Sequence, residues 1–113
     1  RLFMPNDDYF KIVYQILSYL YESMKAGVEI SEEAYSAEMY KIPQTYWDSI
    51  IRELIENGYV KGIKVRKYAA GAVFEHLNEA EITSMGVEYL QENKQMKKVY
   101  RFLKGIKEII PGI

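Results

Sequence analysis

Residues 42–77 read Ile42-Pro43-Gln44-Thr45-Tyr46-Trp47-Asp48-Ser49-Ile50-Ile51-Arg52-Glu53-Leu54-Ile55-Glu56-Asn57-Gly58-Tyr59-Val60-Lys61-Gly62-Ile63-Lys64-Val65-Arg66-Lys67-Tyr68-Ala69-Ala70-Gly71-Ala72-Val73-Phe74-Glu75-His76-Leu77. The hydrophobic period changes at Gly58. Before it, Trp47, Ile50, Ile51, Leu54 and Ile55 recur at helical spacing, which predicts a helix from Pro43 to Asn57. Pro43 suits a first helical turn, Thr45-x-x-Asp48 fits a capping box that competes with it for the start, and Gly58 suits the residue past the end. After Gly58, residues 59–65 read as a strand, 66–71 as a turn and 72–77 as a returning strand, a hairpin with a basic loop.

On the N-terminal side, Asn6, Asp7 and Asp8 offer capping oxygens for a helix over 8–25, with Phe10, Val13, Ile16, Leu17, Leu20 and Met24 inward and Gly27 at its end. Val28-Glu29-Ile30 alternates and is expected to add one strand to a small sheet. Ser31 is expected to cap a helix over 32–40 that buries Tyr35 and Met39. Pro43 disfavours helix at Ile42, so a tight turn joins this helix to the next. On the C-terminal side, Thr83 caps a helix over 84–92, and a further helix over 94–110 carries the stripe Met96, Val99, Leu103, Ile106, Ile110. Met4 reads as a natural start, so residues 1–5 are expected to be unstructured or left over from cloning. One domain, 6–113, is expected, with its core over 8–77 and C-terminal helices over 83–110.

This order of elements is an α+β winged helix-turn-helix with a small β-hairpin wing and two extra C-terminal helices. Four segments resemble the YjcQ-like family: Asp8-Tyr9-Phe10-Lys11-Ile12-Val13-Tyr14, Ile42-Pro43-x-x-Tyr46-Trp47, Gly58-Tyr59-Val60, and Ile82-Thr83-x-x-Gly86-x-x-Tyr89-Leu90-x-x-Asn93. The resemblance covers nearly the whole chain from Asp7. It implies a small winged-helix protein of Gram-positive bacteria and their phages, and brings over no catalytic or binding residue.

Composition narrows the function. The 113 residues are 49% hydrophobic and 27% charged, enough to bury a core. Cysteine is absent and His76 is the single histidine, so thiolate and Cys/His zinc chemistry are excluded. The adjacent acids Asp7-Asp8 and Glu32-Glu33 sit at expected helix starts, where they favour the helix dipole. With no Gly-rich phosphate loop, an enzyme is not expected, nor a cofactor or metal. No membrane span or secretory signal is visible, and a cytoplasmic setting is expected.

The net charge of −1 hides an asymmetry: residues 1–60 hold five bases and ten acids, and residues 61–113 hold ten bases and six acids. Two readings follow. The fold points to double-stranded DNA and a transcriptional regulator, with Gln44, Thr45, Ser49 and Arg52 on the recognition helix and Lys61, Lys64, Arg66 and Lys67 on the wing. Against this, Asp48, Glu53 and Glu56 leave that helix with a net of −2. The alternative is a protein-interaction module or inhibitor that docks on a host protein through Asp48, Glu53 and Glu56, with Glu32, Glu33 and Glu38 nearby. The stripe Met96, Val99, Leu103, Ile106, Ile110 also suits a homodimer, and the 11 tyrosines and one tryptophan suit interfaces generally.

Overall fold

A computed structural model describes the backbone of residues 4–93 and the side chains of residues 9–93. The expected last helix and its stripe Met96, Val99, Leu103, Ile106, Ile110 lie outside the described residues, as do residues 1–3. The elements are α1 (Met4–Ala26), a 3-10 turn (Glu32–Tyr35), α2 (Ala37–Tyr40), α3 (Gln44–Glu56), β1 (Val60–Lys61), β2 (Lys64–Tyr68), β3 (Gly71–Glu75), a second 3-10 turn (Leu77–Glu79), β4 (Glu81–Ile82) and α4 (Ser84–Glu92). Helix, helix-turn-helix, hairpin and helix follow one another as a winged helix requires.

Helix α1 starts at Met4, earlier than expected, so Asn6, Asp7 and Asp8 lie inside its first turns instead of ahead of it. Pro5 tolerates that position because a first-turn N–H has no helical partner. The helix is the centre of the core. Ile12, Val13, Tyr14, Gln15, Ile16, Leu17 and Ser18 are consecutive and all buried. A run buried without a gap over two turns means that the helix is covered on all sides there. The ends of the expected stripe are not covered: Phe10 is 48% exposed and Met24 is 53% exposed. Phe10 instead meets Tyr9 edge-on, with ring centroids 5.2 Å apart.

Val28-Glu29-Ile30 forms no strand. The phenol oxygen of Tyr19 on α1 accepts from the Ser31 backbone N–H at 2.8 Å, holding this connection to α1 rather than to a sheet. The expected helix over 32–40 is broken at Ser36, which is extended (φ −83, ψ 167) and whose Oγ accepts from the Met39 N–H at 3.2 Å. Ser36 is thus the true N-cap of α2, while the Ser31 hydroxyl donates to Glu33 Oε1 at 2.9 Å. The break turns Met39 outward, 49% exposed, and leaves Tyr35 buried. Lys41 closes α2 in a left-handed conformation, and the turn enters α3 at Pro43, its N-cap. The Thr45–Asp48 capping box therefore does not form.

Residues 59–65 are two strands rather than one, and Gly62 separates them. Its φ is +93, and a Cβ there would lie 2.2 Å from the Glu79 carbonyl oxygen. Only glycine fits a positive φ against a backbone that close. Before the break β1 pairs with β4, Val60 with Ile82 and Lys61 with Glu81. After it β2 pairs with β3 from Lys64–Glu75 to Tyr68–Gly71. Pairing continues to Tyr68, so the loop is Ala69-Ala70 alone, and Arg66 and Lys67 are strand residues. The β4 strand escaped the sequence reading because two residues carry no period.

The Thr83-x-x-Gly86 motif joins the end of α3 to the start of α4. Thr83 Oγ1 donates to the Gly58 carbonyl and accepts from the Gly86 N–H at 3.1 Å. A Cβ at Gly86 would lie 2.6 Å from the Tyr59 carbonyl oxygen, so α4 approaches this closely because the residue is glycine. A chain of rings then orients the wing: Tyr19–Tyr35, Tyr35–Trp47 and Trp47–Phe74, at 6.1, 6.4 and 6.1 Å. It is fixed by Trp47 Nε1 donating to the Tyr35 carbonyl at 2.8 Å and by the Tyr35 hydroxyl donating to the Leu77 carbonyl at the wing's base. Burial raises the Tyr35 phenol pKa, with the nearby Glu32 charge adding to it, so that hydroxyl stays a donor. Among the described residues no buried side-chain nitrogen or oxygen lacks a partner, and no helix is long and apolar enough to cross a membrane.

Candidate nucleic-acid interface

Antiparallel register sorts the wing's side chains by face. Alternate residues share a face, so Val65, Lys67, Ala72 and Phe74 form one side and Lys64, Arg66, Tyr68, Val73 and Glu75 the other. The first side faces α3. There Val65, Lys67, Ala72 and Phe74 meet Arg52, Ile55 and Glu56 across a cleft of about 230 Å³. Arg52 and Lys67, far apart in sequence, thus converge on one hollow. The expected basic loop is two basic faces.

The outer face is partly neutralised. Arg66 Nε and Nη2 donate to the two Glu75 carboxylate oxygens at 3.0 and 3.1 Å, a bidentate pair. These bonds hold the Glu75 carboxyl below the usual range and push the Arg66 guanidinium higher still. Lys64 stands opposite the same Glu75. Lys61 Nζ lies 3.8 Å from Glu81 Oε1, its cross-strand partner.

Helix α3 uses its own polar groups locally. Gln44 Nε2 donates to Asp48 Oδ1 at 3.0 Å, and the Ser49 hydroxyl donates to the Thr45 carbonyl at 3.2 Å. Two of the four expected readers are therefore engaged within the helix, while Thr45 and Arg52 stay exposed. The acids diverge. Glu53 accepts from Asn57 Nδ2 at 3.3 Å and acts on Tyr9 of α1, whose phenol is pushed up by burial first and then by Glu53. Glu56 shares the cleft with Arg52. Asp48 lines a different hollow.

That second hollow is a groove of about 360 Å³ between the first 3-10 turn, α2, the start of α3 and β3. Glu32, Glu33, Glu38 and Asp48 border it, and Trp47 and Phe74 line its apolar part. The sequence reading placed these acids near one another but gave no sign that β3 closes the hollow, because that depends on tertiary packing of the hairpin.

No curated protein and no solved structure matches this chain. The family model described as "YjcQ protein" matches residues 14–109. That span takes in α1 from its buried centre, the helix-turn-helix, the wing and α4, and the chain belongs to the YjcQ family.

Proposed function

We propose that this chain is a non-catalytic winged-helix protein that binds double-stranded DNA through its phosphates, as a small regulator of transcription in a phage-associated setting. The convergence of Arg52 and Lys67 on the cleft between α3 and the wing carries the reading. A recognition helix and wing that present cations to the same side are what a duplex backbone meets in this fold. Lys64 on the wing's other face adds a third contact. The local bonding of Gln44 and Ser49 argues against extensive base readout, so sequence preference is low.

The magnitude follows from counterion release. Three phosphate contacts give a log–log salt slope of about −2.7, hence a loss of about 40-fold in affinity between 50 and 200 mM salt. Fluorescence anisotropy of a labelled 20-base-pair duplex (length chosen to exceed about one helical turn) measures this. Arg52→Ala and Lys67→Ala should each flatten the slope by about 0.9, and Gln44→Ala should leave it unchanged. Absence of binding at 50 mM salt, or a slope untouched by both cation removals, overturns the reading.

A further inference from the structure

The groove beside β3 differs from the cleft in how the strand contributes to it. Ala72, Val73 and Phe74 are consecutive and all line the groove. Successive side chains point to opposite faces, so three in a row meet one hollow only along the strand's edge. Among the described residues the β2–β3 sheet has two strands, and none of them neighbours that edge.

Register identifies the groups on the edge. With a loop of only Ala69-Ala70, the Tyr68–Gly71 pair that closes the hairpin is a hydrogen-bonded one. Bonded and non-bonded pairs alternate along an antiparallel ladder, so Arg66–Val73 and Lys64–Glu75 are bonded pairs as well. Ala72 and Phe74 therefore turn their backbone N–H and C=O away from β2, toward the groove. Glu32, Glu33, Glu38 and Asp48 line the groove with that edge, and among the described residues no lysine or arginine does. Trp47, Phe74 and Leu77 supply apolar surface to the same groove.

We propose that this groove binds an extended segment of a partner protein in which lysine or arginine alternates with apolar residues, added to β3 as a third strand. The Ala72 and Phe74 backbone groups bond to its main chain, its apolar side chains pack toward Trp47 and Phe74, and its cations face the four carboxylates. Charge selects the occupant. A nucleic acid phosphate is repelled here, and so is the same acidic groove of a second copy. The proposal does not rest on DNA binding: the two hollows share Ala72 and Phe74, but Arg52 and Lys67 line only the cleft and the four acids only the groove.

The test uses fluorescein-labelled model peptides on the full chain, followed by anisotropy and by amide shifts in nitrogen-15 spectra. The probe is lysine and valine in strict alternation. Its controls are the same peptide with glutamate for lysine, and the same peptide with every backbone nitrogen methylated. The lysine peptide should bind saturably, weaken as salt rises, and shift the amides of Ala72 and Phe74. Both controls should bind at least about tenfold more weakly. Glu38→Lys combined with Asp48→Lys should weaken the lysine peptide by about tenfold or more, while Arg52→Ala leaves it unchanged. Equal binding of the methylated peptide would show charge attraction without strand addition and overturn the proposal. So would no binding of the lysine peptide, or shifts confined to the Arg52–Lys67 cleft.

Discussion

The two hollows that Phe74 lines both lie between α3 and β3, and they differ in charge and in how the strand contributes to them. The cleft toward Arg52 receives alternate residues of the wing, from one face, and carries two cations, Arg52 and Lys67, against one acid, Glu56. The groove toward Asp48 receives consecutive residues of β3, from its edge, and its charged lining among the described residues is acidic. One hairpin thus offers a face specified by side chains and an edge specified by backbone, with opposite preferences in charge. A small protein gains two non-competing surfaces this way, since a phosphate backbone and a basic peptide each avoid the other's site.

The largest expected effect breaks both hollows at once. Trp47 is 3% exposed, donates to the Tyr35 carbonyl and meets Phe74 edge-on at 77° between ring planes. Trp47→Ala should cost about 3–5 kcal/mol of folding stability in a urea titration. Trp47→Phe keeps a ring against Phe74 but leaves the Tyr35 carbonyl without its donor, at about 1–3 kcal/mol. A loss below about 1 kcal/mol for Trp47→Ala would mean that the ring relay does not hold the wing.

Next in size, Gly62→Ala should disturb both hollows together by moving the hairpin as a body. A methyl cannot occupy the space against the Glu79 carbonyl, and the positive φ adds strain. About 1–3 kcal/mol is expected, with amide shifts on both sides of Phe74. Shifts confined to one side would show that the hairpin bends rather than moves.

Smaller again are the charge changes, which separate the hollows. Glu56→Gln removes an acid from the Arg52–Lys67 cleft and should tighten duplex binding by about threefold, whereas Glu53→Gln should change it little, because Glu53 acts on Tyr9. Folding stability should stay within about 0.5 kcal/mol for both. Duplex titrations at fixed salt compare the two. Equal effects would show that the field around α3 is too diffuse to distinguish its faces.

The α3 stripe was legible in the sequence because buried Trp47, Ile50, Ile51 and Leu54 follow one period. The Thr83 cap was legible for a similar reason: its chemistry is local. The break at Ser36 was not, because Ser31 and Ser36 are equally good caps by type, and what their hydroxyls bond decides between them. The split at Gly62 and the β4 strand depend on Glu79 and Glu81 arriving from much later in the chain. For the site, residue identities were legible and their grouping was not. Asp48, Glu53 and Glu56 share a helix and face three environments, and Lys64, Arg66 and Lys67 share a strand and divide between two faces. Charge counted along the chain therefore overstates what any one surface presents.

The smallest effect isolates the outer face of the wing. Glu75 has its carboxyl pKa lowered from an ordinary 4.5, first by the Arg66 hydrogen bonds, against an opposing desolvation, and then by the charges of Arg66, His76 and Lys64. A carboxyl depressed in the folded state holds fewer protons there than in the unfolded chain, so its contribution to stability is present above pH 4.5 and disappears as pH falls through the folded midpoint. Hairpin amides should therefore loosen on acidification in that window, while amides of buried α1 residues stay fixed. Arg66→Ala should return the Glu75 midpoint most of the way to the ordinary value, with the remaining depression coming from Lys64 and His76. A carboxyl titration followed by carbon-13 shifts reads this directly. A midpoint indifferent to Arg66→Ala would mean that the bidentate pair is not populated in solution, which would free Arg66 to act as a fourth phosphate contact and steepen the duplex salt slope by about 0.9.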